Sequence, residues 1–155
     1  MLSARLVRLI EDHAEPLARE VVKDVKANLR TATYHTLSEQ DLYARVYDVY
    51  HNLGRWVGEN DAAPIEKSYG DLGRRRRSEG IPISQVAYAL ILTKDHLLNF
   101  IRTVGFAGSA VELYQEEELT HLVDRFFDKA IYNTILGYEG TEKTAANASR
   151  GRLEP

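Results

Sequence analysis

At 155 residues the chain has room for one domain with a real core, and 44% hydrophobic with 28% charged residues is an ordinary globular balance. A net charge of −3 removes any electrostatic reason to expect nucleic acid or an acidic membrane as partner, and the absence of cysteine excludes disulfides, thiolate catalysis and sulfur-ligated zinc. The start leads into an amphipathic pattern, not a signal-peptide apolar block, and the longest apolar run, Val86 to Leu92, is far below the roughly 20 residues that span a bilayer. The expected address is therefore the cytoplasm, without membrane insertion.

Apolar residues recur at helical spacing along the chain. Leu2, Leu6, Leu9 and His13 share one face of a first helix, which Pro16 ends or kinks. A second helix, from Leu17 to about Leu29, carries Leu17, Val21, Val25 and Leu29 as its apolar positions, and a loop through Thr31, Thr33 and Thr36 follows. Ser38 reads as an N-cap with Asp41 three residues on. The third helix then runs to about Gly58 with two adjoining stripes, Leu42-Val46-Val49-Leu53-Trp56 and Tyr43-Tyr47-Tyr50-Gly54, an arc wider than a one-sided surface helix needs. A fourth begins at an Asp61 cap with Pro64 in its first turn and stops at Gly80-Ile81-Pro82. The fifth, from Ser84 to near Gly105, is apolar all round in its first half and is expected to be central. After a turn at Gly105 to Gly108, Ser109-x-x-Glu112 has the capping-box pattern, and the last helix runs to about Tyr138 with Leu119, Leu122, Val123, Phe126, Phe127 and Ala130 on one side. Residues 139–155 are polar and small and read as a linker or disordered tail after a helical domain at 1–138. The sum is an all-α fold: an irregular bundle of five to six helices, for which a globin-like layout without haem is one form.

The stretch richest in information is Tyr69-Gly-Asp-Leu-Gly-Arg-Arg-Arg-Arg-Ser-Glu-Gly-Ile-Pro-Ile-Ser84. Its four arginines do not make a basic patch, because each successive residue turns by about 100° and the run fans around the helix. Ile65, Tyr69 and Leu72 set the apolar face and Arg76 continues it, while Arg74 points away. Arg76 is thus the candidate buried anchor, serving either an internal salt bridge or a bound anion, since an uncompensated buried charge is very costly. Gly70, Gly73 and Gly80 lie near that face and suit close helix approach.

The pattern LGRRRRSEGIPISQVAYAL, followed by an apolar helix and a capped final helix, resembles the N-terminal domain of RsbRD-type RsbT co-antagonists. Related domains stand at the front of some bacterial sensor histidine kinases. Leu72, Gly73, Arg76, Gly80 and Pro82 carry the likeness, which is specific from Leu72 to Leu90 and loose from Leu6 to Tyr138. It implies an all-helical, stressosome-like input domain, homodimeric and non-catalytic, passing a signal to a downstream output module such as a kinase or a STAS-like domain. No output module follows within this sequence.

Other chemistry fits less well. In a globin-like layout the proximal ligand belongs on the helix from Ala62 to Glu79, which has no histidine, so His51 as a distal mimic would lack its partner. Glu118-x-x-His121 has di-iron spacing and Asp48-x-x-His51 is a poor second, but both pairs sit mainly off the apolar stripes. His96 lies on the fifth helix, and His13 reads as a hydrogen-bonded core residue. No nucleophile elbow or phosphate-binding glycine loop occurs. No cofactor, metal or catalytic residue is therefore expected. Tyr43, Tyr47, Tyr50, His51 and Tyr69 are candidates for a small-ligand pocket or a dimer face. A cofactor-binding globin-like or di-iron protein, and a stand-alone interaction domain, are the alternatives to a sensor.

Overall fold

The computed structural model describes residues 4–58, 62–104 and 109–153, with side chains through residue 140. Seven α-helices occur among the described residues: α1 (Ala4–Asp12), α2 (Ala14–Ala27), α3 (Glu39–His51), α4 (Leu53–Gly58), α5 (Ala63–Ser78), α6 (Ile83–Val104) and α7 (Ala110–Leu153), with a 3-10 segment at Leu29–Thr36. No strand is present among them, and the fold is an all-α bundle.

Local chemistry explains where the helices break. Pro16 has no N–H to offer the Asp12 carbonyl, and the chain leaves helical geometry just upstream, at His13. Because the interruption falls on His13 itself, the 3.6-residue period does not carry through it. His13 is exposed, its Nδ1 2.8 Å from the Leu9 carbonyl and its ring tilted against Phe100; it is not the core histidine that the sequence pattern implied. The buried side of α1 is Leu6, Val7 and Ile10, with Leu9 at its edge, and Leu2 lies outside the described residues.

The second apolar stripe ends early for a similar reason. Helix α2 stops at Ala27, and Asn28 is extended, its side chain accepting from the Arg30 N–H. Leu29 therefore emerges 88% exposed instead of closing the stripe. Residues expected as a loop are the 3-10 segment, pinned by Thr31, whose buried hydroxyl donates to the Val25 carbonyl at 2.6 Å. Tyr34 of the same segment is buried.

Ser38 caps α3, accepting from the Asp41 N–H. The single helix expected up to Gly58 is two, because Asn52 departs from helical dihedrals and turns its amide back on Asp48. The Asp61 cap lies outside the described residues. Helix α5 ends as the sequence suggests: Gly80 adopts φ +76, its N–H bonds to the Arg77 carbonyl, and the Ile81 N–H reaches back to Arg76. Ile81 is fully buried and seals this turn. At the next start the Pro82 carbonyl, not Ser84, receives the first N–H groups of α6.

Helices α6 and α7 carry much of the core, including Val86, Leu97, Ile101, Leu119, Val123 and Phe127. The apolar first half of α6 is buried on one side only, with Ala87, Tyr88 and Ile91 half-exposed. Ser109 accepts from the Glu112 N–H at the head of α7, while 105–108 lie outside the described residues. The largest departure from expectation is the tail. The backbone of α7 continues to Leu153, so the segment read as linker from 139 is helical, consistent with its good helix formers (Glu, Lys, Ala, Arg) and the absence of proline before Pro155. At 44 residues α7 is about 66 Å long. No helix among the described residues is long and apolar enough to cross a membrane.

Candidate functional site

Arg76 lies where α5 faces the core and is 3% exposed, whereas Arg74 is exposed and pairs locally with Asp71. The Arg76 guanidinium has one carboxylate, Glu79 Oε1 at 2.7 Å from Nη1, and its carbon lies 5.5 Å from the centre of the Tyr34 ring. Its Nε is buried without a hydrogen-bond partner. One hydrogen bond to Glu79 and one idle Nε–H describe a side chain with donor capacity left over.

A second arginine, which the sequence reading did not single out, shares the site. Arg45 of α3 is half-buried over the Tyr69 ring, 5.7 Å from its centre. Desolvation lowers its pKa from the ordinary arginine value; Tyr69 acts in the opposite sense, while Arg76 and Arg75 add to the lowering. Asp41 pairs with Arg75 and Glu79 with Arg76, while Asp48, which accepts from the Asn52 amide, keeps its charge and acts on Arg45 from beyond ion-pair distance. A signal did exist, since Arg45 sits three residues after buried Leu42 and four before buried Val49, inside the apolar arc of α3.

Both arginines, with Tyr34, Tyr69 and Thr93, line a cavity of about 50 Å³ whose remaining walls are apolar side chains of α2, α3, α5, α6 and α7. Arg45 and Arg76 also line an outer groove with Asp41, Ala44, Asp48, Ser68 and Arg75. The pair therefore stands between the interior and the surface. Burial raises the Tyr69 and Tyr34 hydroxyls above the ordinary tyrosine pKa, with the arginines opposing it, so both phenols stay neutral donors at physiological pH.

The other candidates separate. Tyr50 is fully buried and donates its hydroxyl to the Thr93 carbonyl at 2.6 Å, a core role; burial raises its pKa too. Tyr69 meets Trp56 and Phe126 edge-on in the core, so neither tyrosine offers a surface for dimerisation. Tyr43, Tyr47 and His51 instead form an outer stacked ladder with ring spacings of 5.6 and 5.0 Å, and Arg19 covers Tyr43. His96 pairs with Asp24 across α6 and α2, and His121 is exposed on α7. No histidine lines the cavity, and no group of three or more His, Asp or Glu among the described residues could hold a metal ion.

Leu72 lines the cavity, whereas Gly73 lies at the contact between α5 and α7, the most extensive helix pair among the described residues. A Cβ on Gly73 would run into the Thr134 carbonyl, and one on Gly137 into the Gly70 carbonyl. Backbone thus meets backbone, without a side chain between. Arg77 donates to the Tyr138 carbonyl at 3.0 Å, and the Tyr138 hydroxyl donates to the Ile81 carbonyl at 2.7 Å, fastening the same seam at the Gly80-Pro82 turn. Gly80 serves the turn, not the seam. Comparison with family models, with curated proteins and with solved structures gives no match for this chain.

Proposed function

We propose that this chain is a non-catalytic helical input domain, cytoplasmic, which reads occupancy of its arginine-gated cavity and relays it along α7 to an output module. One observation carries the reading: α5 presents Tyr69, Leu72 and Arg76 to the cavity and, roughly 40–100° round the same helix from them, Gly73 to the backbone of α7. Where main chain meets main chain at Gly73 and Gly137, no flexible side chain lies between to absorb a displacement. Helix α7 also contributes Phe127 to the cavity wall and continues to Leu153, which supports a role as the outgoing element. The resemblance to RsbRD-type N-terminal domains points the same way.

The test fuses a dimeric histidine-kinase output module after α7 and inserts one to four residues at the junction. A helical relay predicts output that varies with helical phase, lost at one or two inserted residues and largely restored at three or four. Output indifferent to phase contradicts it. We further propose a homodimer. Exposed Val111, Tyr114 and Tyr132 on α7, with the Tyr43–Tyr47 ladder, support a surface for it, and Tyr114→Glu with Tyr132→Glu should shift sedimentation from dimer to monomer.

A further inference from the structure

We propose that the cavity is a binding site for a short-chain monocarboxylate, its alkyl chain inside and its carboxylate held by Arg45 and Arg76. The proposal rests on the input-domain reading for its biological meaning, but not for its chemistry.

Three observations set the ligand class. The inner walls, such as Val49 and Leu90, are apolar and reward a hydrocarbon body. The end facing the outer groove carries two guanidinium groups with unspent donors: the Arg76 Nε–H has no partner, and Arg45 lies over a ring face with no carboxylate within ion-pair distance among the described residues, Asp48 acting on it only from farther off. A buried N–H left idle is costly, and a planar carboxylate matches a guanidinium edge. Tyr34 and Tyr69, whose hydroxyls burial keeps neutral, are also among the lining residues.

Size and charge narrow it further. About 50 Å³ gives room for roughly four waters at 10–15 Å³ each, the footprint of a chain of about four heavy atoms. A phosphate dianion fits poorly, because Asp41 and Asp48 stand in the outer groove and the apolar walls leave its other oxygens without donors. Glu79 already takes one edge of Arg76, so the site neutralises one further negative charge and not two.

Butyrate is the probe, titrated into the intact chain by calorimetry and amide NMR, with butyramide as neutral isostere and inorganic phosphate as a test of bare anion binding. The expected result is one saturable site for butyrate, with butyramide and phosphate at least about tenfold weaker, as loss of a charge-assisted hydrogen bond implies. Arg45→Gln should weaken butyrate about tenfold or more. Arg45 is half-buried and in no ion pair among the described residues, so this variant is expected to fold and isolates the site better than Arg76→Ala. Equal binding of butyrate and butyramide, equal binding of phosphate, unchanged affinity in Arg45→Gln, or no butyrate binding would each overturn the proposal. Butyrate binding combined with phase-independent output would leave the site standing and remove the relay; phase-dependent output without butyrate binding would do the reverse.

Discussion

The two sides of α5 follow opposite rules. Towards α7 the helix presents Gly70 and Gly73, where main chain meets main chain, flanked by side-chain contacts of Tyr69 with Phe126 and of Arg77 with the Tyr138 carbonyl. Towards the cavity it presents Tyr69 and Arg76, large side chains with polar ends that the surroundings satisfy incompletely. The first surface has little freedom at Gly73 and at the facing Gly137, where an added Cβ meets a carbonyl. The second has spare volume and spare donors, so its state can change with what occupies it. A rigid face and an adjustable face on one helix are the physical ingredients of a relay.

The sharpest way to break this comparison is to add one carbon to the rigid face. Gly137→Ala drives a Cβ against the Gly70 carbonyl and should destabilise by about 3 kcal/mol or more in chemical denaturation, whereas Gly58→Ala, with open space around it, should change stability by less than about 1 kcal/mol. Comparable small effects would show that α5 and α7 are not in backbone contact.

The adjustable face gives the next largest effect. Arg76→Ala removes the shorter of the two arginine contacts to Glu79, leaving Arg75 at 3.9 Å, and empties space beside Tyr34, at a cost of about 3 kcal/mol. Arg74→Ala removes an exposed pair with Asp71 and should cost no more than about 0.5 kcal/mol. Equal losses at the two positions would contradict the face assignment.

Buried tyrosines supply a smaller, pH-dependent effect. Tyr50 and Tyr69 have folded-state pKa values raised by burial, so the folded chain holds those protons more tightly than the unfolded one. Their contribution is fully present below the unfolded value of about 10 and is lost as pH rises above it. The unfolding midpoint should therefore fall above about pH 10, and Tyr50→Phe should flatten that fall. At pH 7 the same substitution costs about 1 kcal/mol, through the lost bond to the Thr93 carbonyl. An alkaline limb identical in Tyr50→Phe would refute the buried-phenol account.

How much of this was legible beforehand differs by the range of the interaction. The Ser38 cap, the Gly80 stop and the burial of Arg76 are local: a side chain and its neighbours within four residues decide them. The breaks at His13 and Asn52 are also local, but they compete with an unbroken apolar period, and the period alone cannot show which one yields. Leu29 was misplaced because its stripe continued past the true helix end. Gly137 and the pairing of Arg45 with Arg76 depend on residues far apart in the chain, so they needed the fold. The helical backbone of 139–153 is harder to see in the sequence, because its small polar residues suit a linker as well as their fair helix propensities suit a helix.

The central claim is that the cavity face of α5 and the α7 seam move together. Amide NMR of Arg76→Gln against the parent chain tests it most directly. Coupling predicts shifts at Thr134, Gly137 and Tyr138 that Arg74→Gln does not produce. Shifts confined to the cavity walls of α3, α5 and the 3-10 segment, with those three amides unmoved, would contradict it.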